Sequence, residues 1–194
     1  MEYKFYQPDW FSSSVHLFER FLLPLKRKPL KCLEIGTMEG RSATWLLDCL
    51  KSATLDCIDP CDLVWKKRPE AYNYWDAMMH NLDPHVSSNR CKILQGYSEQ
   101  VLPRLIDQGL SYDFIYIDGA HNTLQVIRDI VMSCMLLKNG GIMAMDDYLW
   151  KSQDNPSSYD TPKLAIDGFL STHRSVIEVM HKDYQVWVQK IEDF

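Results

Sequence analysis

The chain has no apolar run of membrane-spanning length, and Met1–Tyr6 lacks the apolar core of a secretion signal, so neither a spanning segment nor an exported fold is expected. The expected location is cytoplasmic. Broad positive charge is missing too: 21 Lys and Arg against 26 Asp and Glu give a formal charge of -5, and the clusters Lys26-Arg27-Lys28 and Lys66-Lys67-Arg68 read as solvated faces. No nucleic-acid partner and no membrane partner follow from this composition. Cys57 and Cys61 lie four apart with no second Cys or His pair at zinc spacing, and Cys32, Cys57 and Cys134 fall inside predicted strands or helices, so the six cysteines read as reduced, mostly buried thiols. With few low-complexity tracts and 46% hydrophobic residues, 194 residues suffice for one domain with its own core.

What is present is a junction, KCLEIGTMEGRSATWLLDCL from Lys31 to Leu50. Cys32–Ile35 has strand length, Gly36 gives the backbone freedom to turn, and from Gly40 onward Ala43, Trp45, Leu46, Leu47 and Leu50 recur at helical spacing, with Ser42 and Thr44 placed to cap free amides. A helix N-terminus behind a strand presents N–H groups and a positive dipole end to a ligand. The stretch has neither G-x-G-x-x-G nor a Lys-Ser/Thr pair, which weakens the dinucleotide and phosphate-loop readings. Leu55–Pro60 reads as a second strand, and Asp59, 23 residues after Gly36, ends it where a carboxylate reaches both hydroxyls of a ribose.

The remaining pattern alternates strands and helices. Residues 1–30 read as an N-terminal helical cap, with a helix from Pro8 to Leu25 whose aromatic side chains offer a surface for a homo-oligomer. A helix over Arg68–Leu82, a strand at Cys91–Leu94, a turn at Gly96-Tyr97-Ser98 and a helix over Glu99–Gln108 closed by Gly109 follow. Tyr112–His121 is a nearly continuous apolar strand with Asp118 at its carboxyl end; Thr123–Leu137 is a helix broken by Asn139-Gly140-Gly141, and Ile142–Asp147 is another buried strand ending in two acids. Tyr148–Asp160 reads as a mobile loop, Thr161–His173 as a helix with Leu164, Ala165, Phe169 and Leu170 inward, and Ser175–Met180 with Tyr184–Val188 as a hairpin. Such alternation implies parallel strands with right-handed crossovers, and ligands bind beyond their carboxyl ends, so Gly36, Asp59, Asp118, His121, Asp146 and Asp147 are expected on one rim. Carboxylates that close call for a hard divalent cation such as Mg²⁺.

The acid-Gly-three-Gly pattern of Glu34, Gly36 and Gly40 resembles the first motif of class I S-adenosylmethionine-dependent methyltransferases. The resemblance spans about Leu30 to Ile191 and implies an α/β Rossmann-like sandwich over residues 31–194, a seven-stranded, mostly parallel sheet with an antiparallel last strand and helices on both faces. It implies S-adenosylmethionine held by Glu34, Gly36, Gly40, Ser42, Asp59, Gly96, Ser98 and Asp118. The strand ends further resemble the metal-dependent O-methyltransferases of the catechol and bacterial sugar types, which implies Mg²⁺ or another divalent cation on Asp118, Asp146 and Asp147. The sugar enzymes share the Asp-Gly-small-His arrangement of Asp118-Gly119-Ala120-His121, which implies His121 as general base; the catechol enzymes carry a lysine at that position. The implied acceptor is a small hydroxylated molecule or a sugar. Two other readings stay open: a metal-independent methyltransferase of the same fold, and a non-catalytic binding module that kept it.

Overall fold

The computed structural model describes residues 2–61, 74–152 and 160–193. The Lys66–Arg68 cluster, the start of the helix expected from Arg68 and most of the loop expected over Tyr148–Asp160 lie outside the described residues. The chain forms two compact units, Met1–Tyr97 and Ser98–Phe194.

In the first unit the Asp9 carboxylate accepts the Ser12 amide at 2.9 Å and the Phe11 amide at 3.2 Å, so the chain enters a 3-10 turn, Ser12–Ser14, before the helix α1 (Val15–Leu22) and a second 3-10 turn, Leu23–Leu25. The helix is shorter than the aromatic pattern predicts. Phe18 is buried with Phe11 and Trp45 edge-on to it, whereas Trp10, before the helix, is exposed. β1 (Lys31–Ile35), α2 (Arg41–Cys49), β2 (Thr54–Asp59), α3 (Tyr74–Ser87) and β3 (Cys91–Gln95) follow, with β1–β2 and β2–β3 parallel. α3 runs past Pro84, which the pattern had ended at Leu82: the ring removes one amide, but the next turn is held by Ser88 N–H to the Pro84 carbonyl at 3.2 Å.

The second unit begins with α4 (Ser98–Asp107). It ends on left-handed Gly109, where Leu110 N–H reaches the Leu105 carbonyl and Gly109 N–H the Ile106 carbonyl, the paired bonds of a glycine C-terminal cap. β4 (Tyr112–Ile117) is parallel to β5 (Leu137–Met145), and between them α5 (Thr123–Leu136) starts on Asn122, whose side chain accepts the Gln125 amide at 3.0 Å. β5 begins directly after α5 rather than beyond Gly141. Residues 138–141 loop out opposite Asp113, because the register passes from Tyr112↔Leu137 to Phe114↔Ile142, and left-handed Gly140 takes up the bend. α6 (Pro162–Thr172) buries Ala165, Ile166 and Phe169 but exposes Leu164, expected inward. β6 (Ile177–Lys182) and β7 (Val186–Lys190) form the expected hairpin, with β7 antiparallel to both β5 and β6. Tyr184 and Gln185 lie in its turn, not in its strand.

The strand order is β3-β2-β1-β4-β5-β7-β6, seven strands, mostly parallel, with an antiparallel close. All six cysteines are free thiols. Among the described residues no helix is long and apolar enough to cross a membrane.

Two glycines give opposite expectations. A Cβ on Gly141 would stand 2.8 Å from the Lys138 carbonyl, a backbone atom of the looped-out segment, whereas a Cβ on Gly168, inside α6, meets nothing within 4 Å. Gly141→Ala should lower the melting temperature, by a stability loss of about 1–3 kcal/mol, and Gly168→Ala should raise it through about 0.5–1 kcal/mol of helix propensity. Thermal melts of the two variants check the pair.

Candidate active site

The first cluster lies where β1 ends. Gly36, Met38 and Gly40 all have positive φ (88°, 49° and 79°), so three of five consecutive residues are left-handed and one of them carries a side chain. A Cβ on Gly40 would meet the Leu82 side chain at 3.2 Å, so Leu82 would have to give way by a few tenths of an ångström, on top of the strain of the positive φ. The turn is braced from β2. Asp59, 5% exposed, accepts Thr37 N–H at 3.0 Å and Met38 N–H at 2.8 Å on Oδ2, and Cys61 N–H at 2.8 Å and the Tyr74 hydroxyl at 3.0 Å on Oδ1. The Asp59 carbonyl accepts Gly96 N–H at 2.9 Å, so the tips of β2 and β3 are joined at the same place. Gly36, Asp59 and Gly96 are thus brought together, with the carboxylate spent on loop amides and a tyrosine.

Ser42 and Thr44 do not cap α2. Gly40 is the cap residue and has no side chain; Thr44 donates to the Arg41 carbonyl at 2.9 Å, and the Ser42 hydroxyl donates to Glu34 Oε1. Glu34 is buried beneath the turn, and burial pushes its carboxyl up to about 7, opposed by the bond from Ser42. Glu39, inside the turn, is buried as well and accepts the amides of Tyr6 and Gln7.

The second cluster lies in the second unit, past the ends of β4 and β5. His121 Nε2 lies 2.8 Å from Asp147 Oδ2, and the Tyr184 hydroxyl donates to Asp147 Oδ1 at 3.2 Å. Asp147 has φ 59°, a left-handed conformation aspartate tolerates better than most residues. Asp146 accepts Asp147 N–H at 2.7 Å on Oδ1, and on Oδ2 the Gln185 amide at 2.7 Å and the Tyr116 hydroxyl, which also reaches Asp118 Oδ2 at 3.1 Å. Burial, then the Asp147 charge, push the Asp146 carboxyl above its ordinary value, against these three donors. Asp118, His121, Asp146 and Asp147 therefore belong to one network. Helix α5 is capped by Asn122, so His121 is spared for other work, and its ring lies 4.6 Å from that of Trp150.

Ser98, the remaining residue of the sequence-derived set, stands at the first turn of α4 and bonds to Asp129, a buried acid of α5 whose carboxyl burial pushes up to about 6. Tyr148 is not part of a loose loop. It is buried, its N–H donates to the Tyr184 carbonyl at 2.9 Å, its hydroxyl donates to Asp167 at 2.9 Å, and Lys163 and Lys182 flank its ring.

Tyr116, Tyr184 and Gln185 escaped the sequence reading because each sits in an apolar or alternating run that reads as strand. The only sequence hint is the glutamine itself, a polar residue directly before the buried run Val186–Val188. The oxygen donors suit a hard cation in kind, but the arrangement does not: the Asp146 oxygens are taken by protein donors, one Asp147 oxygen faces His121, and among the described residues no three His, Cys, Asp or Glu side chains are grouped to hold a metal ion.

A parallel sheet with a glycine turn after β1, an acid after β2 and a polar cluster after β4 and β5 defines an α/β enzyme of the Rossmann-like methyltransferase type. Residues 33–148, more than half of the chain, match the family model described as a methyltransferase domain, and the chain belongs to that family of enzymes. It is 26% identical over 146 residues to the uncharacterized protein R132 of Acanthamoeba polyphaga mimivirus, covering 73% of this chain and 63% of that protein. The chain thus spans under two thirds of that relative's length. Its fold is similar to that of an O-methyltransferase from Bacillus cereus solved with SAH (TM-score 0.64, 19% identity, 92% of this chain and 82% of that one). It is also similar to that of the MycE methyltransferase of the mycinamycin biosynthetic pathway, solved with Mg and SAH (TM-score 0.68, 16% identity, 97% of this chain and 51% of that one).

Glu34 makes stability depend on pH in a stated direction. Its folded-state value, about 7, lies above the ordinary 4.5, so its contribution is fully present below about 4.5 and is lost as pH rises through 7. That loss is about 3 kcal/mol. Glu34→Gln, which keeps an acceptor for Ser42, should therefore gain on the wild type by several degrees in melting temperature between pH 5 and pH 8. A wild-type-minus-variant difference that does not change with pH contradicts the assignment.

Proposed function

We propose that the protein transfers a methyl group from S-adenosylmethionine to a hydroxyl oxygen of a small molecule, with His121 as the proton acceptor. The observation that carries this reading is the 2.8 Å pair of His121 Nε2 and Asp147 Oδ2. A carboxylate only accepts, so it fixes the proton on Nε2 and leaves Nδ1 as the basic nitrogen. The Tyr184 bond to the other oxygen of Asp147 keeps that carboxylate from rotating away. The cofactor supplies an activated methyl group on a cationic sulfur. The acceptor's O–H proton passes to His121 Nδ1 as its oxygen forms the new C–O bond and the C–S bond breaks, releasing a neutral thioether. The turn over Gly36–Gly40, with Glu34, Ser42, Asp59 and Gly96 around it, is the part of the first unit to which we assign the cofactor. The family match and the SAH in the Bacillus cereus structure support that assignment.

A divalent-metal reading is favoured by one observation, that Asp146 is a buried acid whose charge is opposed by Asp147 beside it, in a fold shared with an enzyme solved with Mg. It requires Asp118, Asp146 and Asp147 to exchange their protein donors for the ion.

His121→Ala should lower kcat about 10²- to 10³-fold, measured as SAH formed over a panel of phenols, catechols and sugars, while SAH affinity by calorimetry stays within twofold. An unchanged kcat removes His121 from the chemistry. Dialysis against EDTA separates the two readings: turnover is retained if the hydrogen-bonded network acts alone, and a loss restored by Mg²⁺ assigns the acids to a metal.

A further inference from the structure

Residues Tyr3–Asp9 cross the glycine turn as a strap, and its contacts with Glu39 and Asn81 are made through its backbone. Glu39, the fourth residue of the turn and 4% exposed, accepts Tyr6 N–H at 3.1 and 3.2 Å and Gln7 N–H at 3.3 Å on its two oxygens. Asn81 of α3, fully buried, accepts Lys4 N–H at 2.7 Å and donates to the Lys4 carbonyl at 2.9 Å and to the Glu39 carbonyl at 2.8 Å. One carboxamide therefore ties the strap to the turn. Arg41, the first residue of α2, lies over the Phe5 ring at 4.0 Å and reaches the Gln7 carbonyl and Asp9 at 3.4 Å, and the Tyr3 hydroxyl donates to Asp48 at 2.6 Å.

A turn with three left-handed residues in five persists only where its surroundings hold it. Asp59 holds the Thr37 and Met38 amides from β2. The strap supplies the other half: without it the buried Glu39 carboxylate loses two amide donors and Asn81 loses two of its three bonds, a cost that drives the turn to rearrange.

We infer that the strap is a working part of the cofactor site, with Glu39 and Asn81 as positioning residues, so that strap closure and cofactor binding favour each other. The inference rests on the reading that the glycine turn binds S-adenosylmethionine. Because coupling between two equilibria is reciprocal, the factor by which a closed strap tightens cofactor binding equals the factor by which bound cofactor closes the strap.

Trypsin cleavage after Lys4 reads strap opening, since the Lys4 side chain is exposed while its N–H and carbonyl are held. With the full chain, saturating SAH should slow this cleavage, followed by mass spectrometry, about tenfold. Asn81→Ala should speed cleavage in the absence of SAH and weaken SAH binding about tenfold by calorimetry; Glu39→Gln, which keeps one acceptor oxygen, should do both to a smaller degree. Should Asn81→Ala melt below the working temperature, the wild-type protection by SAH decides alone. A strap that opens faster in either variant with SAH affinity within twofold of wild type, or wild-type cleavage indifferent to SAH, overturns the inference. Failure of the wild type to bind SAH at all overturns the cofactor reading, and this inference with it.

Discussion

Four hydrogen bonds to one carboxylate set the geometry of the first unit. Asp59 stands at the last position of β2, and from there it collects two amides of the β1–α2 turn, one amide of its own turn and the hydroxyl of Tyr74. Without that acceptor the Thr37 and Met38 amides would be left without a partner at a bend that already contains a non-glycine residue at φ 49°. The bend in turn decides where α2 starts and how Glu34 is covered. Asp59 also acts on Glu34 directly, its charge adding to the burial that raises the Glu34 carboxyl.

The second unit applies the same economy to a pair of acids. Consecutive residues of the hairpin turn, Tyr184 and Gln185, donate to the consecutive acids Asp147 and Asp146. The Gln185 amide is oriented by a third residue: Trp187 Nε1 donates to its Oε1 at 3.0 Å, so its NH₂ must face Asp146. Trp187 is itself fully buried and stacked on Phe114 of β4. Core packing and site electrostatics are here one chain of contacts, which is why like-charged neighbours can be held side by side in a half-buried place.

The sequence is legible where backbone sterics or periodicity dictate the answer. Gly36 and Gly40 mark a turn because other residues strain there, and β1, β4 and the second half of β5 show as apolar runs because these parallel strands are covered on both sides. The spacing from Gly36 to Asp59 brought the acid to the turn, since strand length fixes where β2 ends. What it missed has a common cause. The strap meets Glu39 and Asn81 through its main chain, and Tyr6 at 65% exposed shows no burial pattern to find. Gln185 and Tyr116 are polar atoms on side chains whose positions read as strand, and the register loop at residues 138–141 depends on pairing with Asp113 across 25 residues of chain, as in the Lys138–Asp113 ion pair. The expected placement of Ser42 as a cap failed because the helix starts on Gly40, which leaves Ser42 inside the first turn, where its hydroxyl donates to the buried Glu34.

The antiparallel strand β7 occupies an interior place in the sheet although it is the last strand in sequence, between β5 and β6. A chain emerging from the ribosome therefore exposes the outer edge of β5, with its open N–H and carbonyl groups, until Val186–Lys190 has been synthesised. Assembly of the second half is consequently a late, long-range event, and during that interval the nascent protein is most exposed to mispairing with other strands.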